Sequence, residues 1–187
     1  MNRLNFSEQN VEGLLVLERE ILSDDRGSFS RFYCNREFLG AQIKEAFVQM
    51  NLSKTQKRGT IRGMHFQWPP KAEKKIITCL RGEIFDVAID LRRSSPDYLK
   101  VCTFLLSELN QKSLVIPEGF AHGFQTLCDD CDVFYMHTDY YSPDYEDGLN
   151  PFDESLSIEW PLECMEISDR DSKHASIKDI DFKGVLL

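Results

Sequence analysis

From Phe47 to Tyr141 the chain runs through one short strand-like segment after another: FVQMNLS, TIRGMHFQ, KIITCL, EIFDVAIDL, VCTFLLS, KSLVIP, HGFQTL and DVFYMHTDYY, with turn residues between them. Many short strands at this spacing predict an antiparallel sandwich or barrel. A jelly roll is the commonest such arrangement with room inside for a ligand. In EIFDVAIDL the alternation puts Phe85, Val87, Ile89 and Leu91 on one face and Asp86, Ala88 and Asp90 on the other. Upstream, residues 12–22 read as a strand, Ser23 to Gly27 as a turn, and Ser28 to Tyr33 as a second strand alternating polar and aromatic side chains. Asn35 to Gly40 reads as a short helix, capped by Asn35 and stopped by Gly40. Beyond Tyr141 the chain is turn-rich and acidic, with Leu156, Ile158 and Trp160 available to pack back on the strands.

A chain of 187 residues can bury a sizeable core as one domain. Its net charge of −9 argues against a nucleic-acid partner, which calls for a basic patch. An anionic ligand must then be met by local arginines. The longest early apolar run, Leu14 to Leu17, is too short for an export signal or a membrane span, so the expectation is a cytoplasmic protein with no membrane partner. Six scattered cysteines fit reduced thiols. Cys128-Asp-Asp-Cys131 reads as a hairpin tip, because a zinc site needs four ligands and no second such pair exists.

The chemistry concentrates between Gly59 and Gly82. In an extended chain His65 and Gln67 share one face while Met64 and Phe66 share the other. Trp68-Pro69-Pro70 ends that strand, and Lys75 opens the next. A jelly roll with histidines could hold a metal in the manner of the cupins, through His-x-His, a glutamate and a distant histidine. Here Gln67 takes the place of the second histidine and leaves only His65, Glu73 and His122, so no metal is expected. A histidine, a tyrosine and a lysine in one cleft suit a different reaction, proton abstraction beside a carbonyl, in which the lysine stabilises the oxyanion and the tyrosine returns a proton from the opposite face. Tyr135 shares its strand face with His137 and Asp139, which makes an inward polar row. Any one of these residues alone would read as an ordinary hydrogen-bonded side chain of a β-protein.

They occur, however, in order and within longer strings. Asp25-x-Gly27-x-Phe29, Gln49-x-Asn51-x-Ser53, Ile61-Arg-Gly-Met-His-Phe-Gln67, Phe85-Asp-Val-Ala-Ile-Asp-Leu-Arg92, Ile116-Pro-Glu-Gly-Phe-Ala-His-Gly-Phe124, Thr138-Asp-Tyr-Tyr141 and Ser168-Asp-Arg-Asp171 closely resemble the dTDP-4-dehydrorhamnose 3,5-epimerase family, from about Asp25 to Asp171. The resemblance implies an all-β, cupin-type jelly-roll barrel with short flanking helices, spanning 1–187 as one domain. It implies a homodimer that exchanges the N-terminal strands 10–33, no cofactor or metal, and a nucleotide-diphospho-4-keto-6-deoxysugar substrate. By the same resemblance His65 matches the base, Asp171 its partner and Tyr135 the acid, with Lys75 and His122 beside the sugar. Arg26 and Arg62 match nucleotide or diphosphate contacts, Phe29 and Tyr141 base-stacking groups, and Gln49, Asn51, Glu146 and Arg170 further polar lining. Arg62 falls on the opposite strand face from His65, so either it serves a neighbouring subunit or the strand bulges at Gly63. Arg31 stands where the family usually has a glutamate that reads thymine. A guanidinium has no acceptor, so base recognition is expected to be relaxed or shifted toward a guanine or cytosine edge, with dTDP still the leading carrier.

Overall fold

The computed structural model describes residues 2–187, and its regular secondary structure is almost wholly strand. In chain order they are β1 (Leu4–Glu8), β2 (Leu15–Arg19), β3 (Ile21–Asp24), β4 (Gly27–Ser30), helix α1 (Asn35–Gly40), β5 (Gln49–Thr55), β6 (Ile61–Gln67), β7 (Lys75–Arg81), β8 (Glu83–Asp90), β9 (Val101–Ser107), β10 (Lys112–Ile116), β11 (Phe120–Thr126), β12 (Cys131–His137), β13 (Glu146–Gly148) and helix α2 (Asp169–Ser172). Two antiparallel sheets form the jelly roll, one ordered β1-β2-β10-β7-β12-β5 and the other β13-β6-β11-β8-β9. The antiparallel two-sheet arrangement is the one the strand pattern predicts, and it is the all-β cupin-type jelly roll that the resemblance implies.

Alternation decides what lies between and outside the sheets. Ile77, Cys79, Ile84, Ala88, Leu114, Ile116, Phe124 and Val133 pack in one cluster that joins the two sheets. The opposite face of β8 is apolar as well: Val87, Ile89 and Leu91 are covered by Leu149, Leu156 and Ile177, with Ile158 and Trp160 packed alongside. The acidic C-terminal segment therefore does fold back as a lid over the five-stranded sheet. On the other side Phe38 and Ile43, on and after α1, cover Leu17, Ile76, Val115 and Met136. Burial of this kind contributes about 1.5–3 kcal/mol for each large apolar side chain.

Local details depart from the sequence reading. Cys34, not Asn35, occupies the N-cap of α1 and makes no side-chain capping bond, and the helix runs to Gly40 before Ala41 closes it. The strand expected over Ser28 to Tyr33 ends at Ser30. Leu127 to Asp130 turn between β11 and β12, and Asp130 takes the left-handed conformation at φ 56°, so Cys128 and Cys131 flank a hairpin tip. Of the N-terminal segment 10–33, β2 pairs with β1 and β10 of its own chain, and only the β3–β4 hairpin lies outside both sheets.

The N-terminus is tied to α1 through one carboxylate. Glu37 accepts the backbone N–H groups of Arg3 at 2.7 Å and Leu4 at 2.9 Å and pairs with Arg31. Burial opposes its charge, but these bonds prevail and hold it down at about 2. Its folded value lies below the ordinary value of about 4.3. The stability it contributes is therefore fully present above roughly pH 4.3 and lost as pH falls toward about 2. Glu37→Gln should be less stable than wild type at neutral pH, with the gap closing through that acid window. Urea unfolding at a series of pH values checks this, and parallel curves would contradict it.

Candidate active site

A cavity of about 1190 Å³ opens between the sheets, with β6 and β11 on one wall and β5, β7 and β12 on the other. His65 enters from β6. One of its ring nitrogens, Nε2, lies 2.8 Å from Oδ1 of Asp171, and the other ring nitrogen has no protein partner among the described residues. Asp171 is placed by a helix of only four residues, whose N-cap Ser168 accepts the Asp171 N–H at 3.0 Å. Its second oxygen accepts the Gly63 N–H at 3.0 Å. Burial works against the Asp171 charge, yet the bonds from His65 and Gly63 outweigh it and hold the carboxyl well below the usual range. A permanently ionised acceptor fixes the tautomer of His65 and favours the imidazolium that forms when the ring takes a proton.

Tyr135 faces this pair from the other wall, on β12. Burial, with the nearby Asp86 charge adding to it and Arg62 opposing it, pushes the phenol far above its ordinary value, so it keeps its proton at neutral pH. Its ring stacks on His137, with centroids 6.0 Å apart and planes at 10°, and meets His122 edge-on at 6.1 Å. His122 pairs across the sheet with His65 in register and binds Asp86 at 2.8 Å. Asp86 is fully buried, and its other oxygen has no partner among the described residues. Alternation alone puts Asp86 on the polar face of its strand. Its signal was a carboxylate inside a strand whose opposite face is also apolar, which leaves it no exit to solvent.

Arg62 lines the same cavity as His65. On β6 they are three positions apart, but their partners on β11, Phe124 and His122, are two positions apart. The extra residue is a bulge at Gly63, which has φ 112°, and it brings Arg62 round to the face of His65. Of the two explanations offered by the sequence, the bulge is the one observed.

Lys75, Gln49, Asn51, Tyr141, Glu146 and Arg170 also line the cavity. At its mouth Glu146 accepts from the Tyr141 hydroxyl at 2.8 Å and from Arg170 at 2.7 Å, and Arg170 lies 3.0 Å from His65 Nε2. Three residues expected at the site do not reach it within the chain. Arg26 pairs with Asp24 in the β3–β4 hairpin, and Phe29, on the same hairpin, is 61% exposed. Arg31 does not line the cavity of its own chain and pairs with Glu37 beside α1.

Comparison with known proteins bears on this arrangement. Residues 8–179 match the family model of dTDP-4-dehydrorhamnose 3,5-epimerase. The chain is 37% identical over 182 residues to the dTDP-4-dehydrorhamnose 3,5-epimerase of Shigella flexneri, covering 96% of this chain and 99% of that one. A crystal structure of the Bacillus anthracis dTDP-4-dehydrorhamnose 3,5-epimerase with TDP and PPi bound superposes with a TM-score of 0.90 at 38% identity, covering 92% of this chain and 99% of that one. The Legionella pneumophila dTDP-6-deoxy-D-glucose-3,5-epimerase, in complex with dTDP-4-keto-L-rhamnose, superposes with a TM-score of 0.92 at 34% identity, covering 98% of each chain.

Proposed function

The chain belongs to the dTDP-4-dehydrorhamnose 3,5-epimerase family, and from that membership and the cavity we propose that it inverts C3 and C5 of a dTDP-4-keto-6-deoxysugar by proton transfer through an enolate. The observation that carries this reading is the opposition of the His65–Asp171 pair on one wall to the protonated Tyr135 on the other. A C–H beside a ketone is acidic because the electron pair it leaves is delocalised onto the carbonyl oxygen. His65 takes the proton, the ammonium of Lys75 stabilises the oxyanion, and Tyr135 protonates the carbon from the other face. The chemistry needs only one base and one opposed acid, and the protein's task is to fix the ring between them.

The nucleotide lies toward the mouth, where Arg62 and Arg170 supply positive charge in a chain of net charge −9. With Arg31 neutralised by Glu37, nothing in the cavity favours a guanine or cytosine edge through that residue, and dTDP is the carrier we propose. The β3–β4 hairpin reaches the cavity of a partner subunit in a homodimer, delivering Arg26 and Phe29. Supporting this, the hairpin exposes Ile21, Leu22 and Phe29, and the edge strand β5 exposes Met50 and Leu52.

Incubation in deuterium oxide with dTDP-, CDP-, GDP- and UDP-linked 4-keto-6-deoxyglucose, read by NMR, tests the proposal. Deuterium should appear at C3 and C5 of the dTDP sugar fastest. No label in any of the four would overturn the reaction, and label at a single carbon would reduce it to a monoepimerase. Preference for another nucleotide would overturn the carrier alone.

A further inference from the structure

The loop before β7 contributes a buried carboxylate that the reaction as described leaves without a task. Glu73 is nearly inaccessible, and both its oxygens are engaged. Oε2 accepts from Gln67 Nε2 at 2.6 Å, while Oε1 lies 3.0 Å from Lys75 Nζ and 4.0 Å from His137 Nδ1. Gln67 is itself fixed at both ends, since Nε2 also donates to the Lys71 carbonyl at 2.8 Å and Oε1 accepts the Ser142 N–H at 2.7 Å. His137 pairs with Lys75 across the strands. Burial, then the charges of Lys75 and His122, push His137 down to about 4, so at pH 7 it is neutral and does not compete for the Glu73 charge.

An ammonium carries three donors on a flexible four-carbon stem. Lys75 Nζ forms an ion pair with Glu73 Oε1 at 3.0 Å and donates to the His65 carbonyl oxygen at 3.4 Å. It has no further protein acceptor among the described residues, although Lys75 lines the cavity. These two contacts restrain the ammonium and leave donor capacity for a group in the cavity. A buried cation also needs a counter-charge, which a neutral amide at position 73 would not supply.

We propose that Glu73, locked by Gln67, is a positioning residue that neutralises the Lys75 ammonium and aims its remaining N–H at the ketone oxygen on which enolate charge develops. This rests on the role given to Lys75 above. The consequence is specific: Glu73 acts only through Lys75, so its contribution must vanish when the ammonium is gone.

The test compares kcat and KM of the full chain with dTDP-4-keto-6-deoxyglucose for wild type, Glu73→Gln, Lys75→Met and the double variant, with thermal unfolding as a control on folding. Glu73→Gln should lower kcat about ten- to a hundredfold with KM within about threefold, because oxyanion stabilisation acts in the transition state. In the Lys75→Met background the same change should alter kcat by less than about twofold. Equal losses in both backgrounds, or a wild-type kcat for Glu73→Gln alongside a slowed Lys75→Met, would overturn the proposal. A wild-type kcat for Lys75→Met would remove the role of Lys75 and the proposal with it. Should Glu73→Gln not fold, Glu73→Asp replaces it: the carboxylate withdrawn by one methylene should lower kcat, and an unchanged kcat would count against the aiming role.

Discussion

His65→Asn and Tyr135→Phe should each lower turnover by about a hundred- to ten-thousandfold, the usual contribution of a positioned general base or acid, while leaving the fold intact. Each substitution keeps the shape of the side chain and removes its proton transfer. The two variants should nevertheless differ in solvent exchange. With His65 retained, Tyr135→Phe can still remove a proton and return a deuteron on the same face, so label enters the sugar without inversion. His65→Asn should lose inversion and exchange together. Asp171→Asn should be milder in rate but should alter the pH–rate profile. An imidazolium deprived of its carboxylate is less stable, so the limb that reports the base should move to lower pH. Rates within a few-fold of wild type for both His65→Asn and Tyr135→Phe would remove the assignment, and an unchanged profile for Asp171→Asn would remove its partnership with His65.

What could be read from the chain before its structure follows from the range of each interaction. Strands β5 to β12 are legible because alternation and turn residues are local signals, and all eight appear within a few residues of their expected limits. The strand β13, of three residues, and the helix α2, of four, carry no periodicity to read, since they exist only through what they pack against. The same limit governs the site. His65 and Asp171 are 106 residues apart, and no local pattern joins them, so only the longer strings shared with a known family pointed to the pair. Asp86 escaped because alternation assigns a face without saying that both faces are covered. The pairing of Arg31 with the buried Glu37, six residues on, is likewise invisible to a correspondence of motifs, because it depends on how α1 packs.

The bulge at Gly63 makes the site a property of one backbone position. Gly63 has φ 112°, which side-chain-bearing residues rarely adopt, and a Cβ there would lie 2.6 Å from the Gly123 Cα and 2.7 Å from the His122 carbonyl oxygen. Both are backbone atoms of the adjacent strand and cannot turn aside as a side chain could. Gly63→Ala should therefore force β6 away from β11, at a cost of about 1–3 kcal/mol from overpacking with the backbone conformation adding to it. Three site features depend on this register: the Gly63 N–H bond to Asp171, the facing of His65 with His122, and the turning of Arg62 into the cavity. Activity should fall by much more than the unfolded fraction accounts for, even at temperatures where the variant stays folded. Gly40→Ala is the matched control, because a Cβ there meets nothing within 4 Å, and it should leave stability unchanged or raise it by up to about 1 kcal/mol. Urea unfolding and deuterium incorporation, measured on both variants, separate the two effects. If Gly63→Ala matched Gly40→Ala in both, the extra residue in β6 would be a tolerated irregularity rather than the element that sets His65 and Arg62 on one face.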